Sequence, residues 1–118
     1  MAARDLSGAV NFGVLERYAA GDAVVMEEVL NLFRQQAEVW IDLLDPAGEG
    51  WRDAAHTIRG AAAGIGAERL ASACAIAEES PVELAAPAIT RVRDEMGYAL
   101  ADVAAYQHEL MLRSLRGG

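Results

Sequence analysis

The sequence predicts an all-α fold: an antiparallel up-and-down four-helix bundle with a short additional N-terminal helix. Three observations carry the prediction. Apolar residues recur at three- and four-residue spacing through most of the chain, as on one face of a helix. No stretch alternates with period two between turn residues, the pattern a half-buried strand needs. The periodic segments are separated by short breaks rich in Gly, Pro and Asp, and short connections make successive helices antiparallel neighbours.

Residues 1–10 read as a flexible lead-in, because Ser7 and Gly8 interrupt any early helix. Residues 11–118 read as one helical-bundle domain. Asn11 to Ala20 forms a short helix with Phe12, Leu15 and Ala19 on one side. Gly21 stops it and Asp22 caps the next, a stop followed by a start. That second helix runs from about Ala23 to Leu44, with Val25, Val29, Phe33, Ala37, Trp40 and Leu44 as its apolar stripe. Asp45-Pro46-Ala47-Gly48 ends it. A third helix runs from about Glu49 to Ile65, closed by Gly64 and Gly66, and a fourth from Ala67 to Glu79 turns Leu70, Cys74 and Ala77 inward. Ser80-Pro81-Val82-Glu83 reads as a capping box with proline at the first helical position. The fifth helix reaches Leu115 on a stripe of Ile89, Val92, Met96, Leu100, Val103, Tyr106 and Leu110. Pro87 leaves two options: a start near Pro87 after a separate turn, or a kink there.

Composition narrows the function. The chain has 118 residues, 53% of them hydrophobic and only 6% aromatic, which suits one domain built from closely packed small side chains. All ten basic residues are arginine, and with 18 acidic residues the net charge is −8. That charge argues against nucleic acid, whose phosphates need a basic footprint, and against an anionic membrane surface. No apolar run approaches a membrane span, and residues 1–8 lack the apolar core of a signal peptide. The single Cys74 allows no internal disulfide. The expected location is the cytoplasm.

The third helix carries the one reactive group that stands out. At about 100° per residue, Trp51, Ala54, Ala55, Ile58, Ala61, Ala62 and Ile65 share one arc. His56 points away from it, flanked by Arg52, Arg59, Gly60 and Ala63. A lone exposed histidine is unremarkable in most proteins, but its company here is specific. A neutral imidazole is a competent nucleophile, and a nearby guanidinium can stabilise a phosphoryl group bound to it. Gly60 and Ala63, on the following turns, remove bulk where a partner must approach. Other candidates recede. His108 has no partner by spacing, Cys74 reads as core, and Glu27/Glu28 and Glu78/Glu79 read as solvated tandem acids. No ligand spacing for zinc exists, nor any P-loop, dinucleotide fingerprint or nucleophile elbow.

At these residues the chain resembles the histidine-containing phosphotransfer (HPt) domains of multistep two-component phosphorelays. Their motif, Ala-His-x-Leu-Lys-Gly followed by small residues and Gly-Ala-x-x-Leu, stands here as Ala55-His56-Thr57-Ile58-Arg59-Gly60, then Ala61 to Ile65, then Gly66-Ala67-Glu68-Arg69-Leu70. The family's downstream Cys and Glu fit Cys74 and Glu78. The resemblance spans about residues 11–80, with a compatible last helix. It implies that His56 accepts and donates the phosphoryl group, that Arg59 takes the place of a lysine, and that Gly60 is the access glycine. Many members have serine where Ala61 stands here. The implied partners are response-regulator receiver domains and a hybrid histidine kinase. Mg²⁺ is expected on the receiver, with no cofactor or metal on this chain and no kinase activity of its own. Docking is expected around His56, including Arg52, and at the exposed start of the second helix, such as Val24. The expected function is that of a stand-alone phosphorelay intermediate. The alternatives are a non-phosphorylated helical adaptor that binds a receiver or kinase, and a kinase dimerisation bundle.

Overall fold

The computed structural model describes residues 8–117, and among them every regular element is helical. Helix α1 spans Phe12–Tyr18, α2 Ala23–Leu43, α3 Trp51–Ile65, α4 Glu68–Glu79 and α5 Ala85–Gly117, the last entered through a 3₁₀ turn over Val82–Leu84. Helices α2 to α5 pack in a closed ring, each against the next and α5 back onto α2, while α1 lies on α3. This is the expected four-helix bundle with a short helix added.

The boundaries follow local chemistry. The Asn11 side chain accepts from the Gly13 N–H at 3.1 Å at the start of α1. Ala20 and Gly21 both take left-handed backbone, which ends α1, and Asp22 Oδ1 then accepts from Val24 N (3.0 Å) and Val25 N (3.3 Å). Both are side-chain caps for otherwise orphaned donors. The last carbonyls of α2 are taken by Arg93 from α5, whose Nη2 donates to Ile41 O at 3.0 Å and Leu44 O at 2.9 Å. Helix α3 closes on Gly66 with φ +89°, and Ala67 N donates back to Ala62 O at 2.8 Å. A Cβ at Gly66 would lie 2.2 Å from the Asn11 carbonyl oxygen, so this turn requires glycine both for its φ and for the close approach of the chain entering α1.

Two expectations need correction, and the choice left open at Pro87 is decided. The capping box over residues 80–83 does not form: Ser80 closes α4 and its hydroxyl donates to Ile76 O at 2.8 Å, so it serves the preceding helix. At Pro87 the first option holds: the separate 3₁₀ turn over Val82–Leu84 precedes helix α5, which starts at Ala85, near Pro87. Pro87 then falls in the first turn, where its missing N–H has no intrahelical partner to lose. The buried stripe of α2 is Met26, Leu30, Phe33, Ala37 and Trp40, continued by Leu44; Val25 is exposed and Val29 half-buried. The spacing admitted either register in the first turns, and contact with Tyr106 of α5, whose hydroxyl approaches Met26 Sδ, selects Met26.

The lead-in is also tighter than expected where it is described. Residues 1–7 lie outside the described residues, but Ala9 and Val10 are buried. Their N–H groups both donate to Oδ2 of the buried Asp102 at 3.1 Å. The Phe12 ring stacks on Tyr106 at 4.0 Å, and the Tyr106 hydroxyl donates to Glu16. Together these contacts pin α1 to α5. Among the described residues no helix is long and apolar enough to cross a membrane, and no cluster of His, Cys, Asp and Glu could hold a metal ion.

Candidate functional site

Helix α3 has two faces with different duties. Trp51, Ala54, Ala55, Ile58, Ala62 and Ile65 are buried, as their arc requires, and Ala61 is half-buried at its edge. Opposite them Arg52, His56 and Arg59 stand at i, i+4 and i+7, one stripe along the helix. All three reach the same residue, Glu78 in the last turn of α4. Arg52 Nη1 donates to the Glu78 main-chain carbonyl. His56 Nδ1 lies 2.9 Å from Glu78 Oε1, and Arg59 Nε lies 3.1 Å from Glu78 Oε2. The last pair is an ion contact, and among the described residues Oε2 accepts no hydrogen bond.

These contacts fix the imidazole's tautomer. A carboxylate can only accept, so the 2.9 Å contact puts the proton on Nδ1. Arg59 Nη2 also lies 3.4 Å from Nδ1, but a guanidinium can only donate, and a protonated Nδ1 cannot accept from it. The shorter contact to the charged oxygen prevails. In the neutral ring Nε2 then keeps its lone pair. The histidine side chain is 67% exposed, and no hydrogen bond engages Nε2 among the described residues. The result is an exposed imidazole held from behind by a carboxylate, with a guanidinium beside it.

The surroundings are clear of bulk. A Cβ at Gly60 would meet nothing within 4 Å, and the same holds for Gly64; Ala63 between them is exposed. Below the site Cys74 is fully buried. Burial pushes its thiol up from 9.0 to about 12, with the Glu78 charge adding to the effect and Arg59 offsetting part of it. Cys74 is thus a neutral core side chain, and His108 is exposed on α5 away from any such cluster.

The Hpt domain family model matches residues 25–103 of this sequence. The chain belongs to the Hpt domain family. The crystal structure of the histidine phosphotransferase ShpA from Caulobacter crescentus is similar over 92% of this chain and 100% of its own, with 47% identity and a TM-score of 0.79. No curated protein sequence matches. The phosphorelay resemblance read from Ala55 to Leu70 is therefore the correct one.

In this Hpt domain the remaining site candidates separate. Arg52 was expected at the docking rim, but its guanidinium turns inward to the end of α4 and stacks over Trp51 at 4.4 Å. Val24 is exposed, at 67%, in the first turn of α2. It stands outside an apolar groove of about 820 Å³ that opens between α1, α2 and the second half of α3. Val14, Tyr18, Leu32, Phe33, Ala63 and Gly64 are among its lining residues. Reading the residues alone missed Glu78, which was grouped with Glu79 as a solvated pair. The signal was its place four residues after Cys74, where it extends the inward stripe of Leu70, Cys74 and Ala77. A carboxylate there meets the neighbouring helix before it meets water.

Proposed function

We propose that His56 is the phosphoryl carrier of this Hpt protein, taking the group from an aspartyl phosphate on a response-regulator receiver domain and passing it on. The observation that carries this reading is the Glu78–His56 hydrogen bond on an otherwise open face. With the proton on Nδ1, Nε2 can attack phosphorus without first losing a proton. A P–N bond forms, the P–O bond of the aspartyl phosphate breaks, and the receiver's carboxylate leaves with that electron pair. The ring becomes cationic as the bond forms, and the Glu78 carboxylate on Nδ1–H stabilises that charge. Arg59 supplies a guanidinium beside the phosphoryl oxygens, where it can stabilise their charge. The reverse transfer uses the same groups.

The work of this chain is positioning, since the receiver brings the aspartate and the Mg²⁺. The missing side chain at Gly60 and the small Ala63 support a partner approaching along α3. The apolar groove beginning at Ala63 and Gly64 continues that face and suits an apolar helix of the receiver. Val24 would extend the contact at its far edge. A hybrid histidine kinase upstream and a cytoplasmic setting complete the reading.

Incubation with a phosphorylated receiver domain and Mg²⁺ tests it. Acid-labile, base-stable phosphate should appear on the chain and be lost in His56→Gln. Binding without transfer across a panel of receivers would favour the adaptor reading instead.

A further inference from the structure

Arg52 occupies an unusual position for an exposed-face residue next to a nucleophile. It lies four residues before His56 on the same stripe of α3, yet it makes its contacts with main chain rather than solvent. Nη1 donates to the carbonyls of Glu78 and Ser80, the latter at 3.0 Å. These are among the last carbonyls of α4, which have no intrahelical donors. A cation at a helix C-terminus also opposes the negative end of its dipole. The guanidinium is braced on its other side by Trp51, 4.4 Å from its ring centroid and itself buried. The clamp therefore joins a rigid point of α3 to one particular turn of α4.

That turn holds the group that orients His56. Glu78 offers its carbonyl to Arg52 and its Oε1 to His56 Nδ1, so two side chains one turn apart on α3 grip one residue by its main chain and its side chain. Helix ends fray, and Glu78 is one residue from the end of α4. Without a tie on its carbonyl, the carboxylate would sample positions from which it no longer meets Nδ1. We propose that Arg52 is a positioning residue for phosphoryl transfer: it fixes the last turn of α4, and thereby holds Glu78 against His56 Nδ1 so that Nε2 keeps the reactive lone pair. The rate part of this proposal rests on His56 being the carrier; the tautomer part does not.

The test measures both. Long-range ¹H–¹⁵N correlation of the neutral His56 ring reports which nitrogen bears the proton, with no partner present. Wild-type protein should hold it mainly on Nδ1. Arg52→Gln should raise the Nε2–H form and slow transfer from a phosphorylated receiver about ten- to a hundredfold, as for sub-ångström to ångström misplacement of a reacting group. Receiver affinity should stay within about twofold, because Arg52 acts through Glu78 and not on the partner. Arg52→Lys, whose ammonium can still serve a carbonyl, should recover part of both effects. Adding Arg52→Gln to Glu78→Ala should change neither readout further.

An unchanged tautomer with weakened receiver affinity would make Arg52 a docking residue and overturn the proposal. Unchanged tautomer and rate in a folded Arg52→Gln, or equal losses on the Glu78→Ala background, would overturn it too. Should Arg52→Gln not fold, the same criteria apply to Arg52→Met, which has no donor for the carbonyls. If wild-type protein accepts no phosphate from any receiver while the tautomer still shifts in Arg52→Gln, the carrier reading fails and the positioning of His56 by Arg52 stands.

Discussion

Gly60 is the sharpest place to separate what the bundle needs from what the function needs. It sits inside α3, where glycine is the poorest residue short of proline. Nothing in the fold requires it: its φ is ordinary, and a Cβ there would meet no atom within 4 Å. Gly60→Ala should therefore stabilise the protein by about 0.8–1.0 kcal/mol, the full difference in helix propensity. Gly60→Leu should stabilise it slightly less, since leucine follows alanine closely on that scale. Denaturant titration measures both through the midpoint at constant m. The same leucine stands one turn from His56 on the open face, so transfer from a phosphorylated receiver should fall by about a hundredfold or more. Stability and transfer would then move in opposite directions at one position. A Gly60→Leu protein that transfers at the wild-type rate, or a Gly60→Ala protein that loses stability, would refute the reasoning.

Other outcomes follow from the same contacts. Gly66→Ala should destabilise the fold by about 2–5 kcal/mol, from left-handed strain and from the displaced Asn11 backbone, measured by denaturant titration. Asp102→Ala leaves the buried N–H groups of Ala9 and Val10 without their acceptor and should cost about 2–4 kcal/mol, with hydrogen exchange rising in α1. His56→Gln removes an exposed ring and should alter stability by less than about 0.5 kcal/mol. Cys74 gives a pH signature. Its thiol is raised from 9.0 to about 12 in the fold, so between those values the unfolded chain releases a proton that the native chain keeps. Its contribution to stability is complete below pH 9 and falls by about 1.4 kcal/mol per pH unit above it. Cys74→Ala should lack that slope, as paired unfolding curves at pH 8, 9 and 10 would reveal.

How much of this could be read from the sequence depended on the kind of signal. Breaks with one mechanism were legible: Gly21-Asp22, the Asp45 to Gly48 run and Gly66 each end or start a helix at or within a residue or two of the expected place. The stripe of α3 was legible because its two faces differ so sharply in polarity. The stripe of α2 was not fully so, since Val25 and Val29 compete with Met26 and Leu30, and only the partner helix decides. Buried polar residues were the least legible. Asp102 beside Val103, and Glu78 beside Ala77, look like the wet edge of a stripe until a neighbouring element supplies their donors. Arg52 shows the same limit from the other side: spacing placed it beside His56, but the open carbonyls of α4 that draw it inward exist only in the assembled bundle.

The most direct test of the central claim is the site of phosphorylation on the ring. After loading from a phosphorylated receiver, ¹⁵N and ³¹P spectra of the protein report which nitrogen of His56 is bonded to phosphorus. Phosphate on Nε2, with Nδ1 still protonated toward Glu78, is the predicted result. Phosphate on Nδ1, or on a residue other than His56, would contradict it.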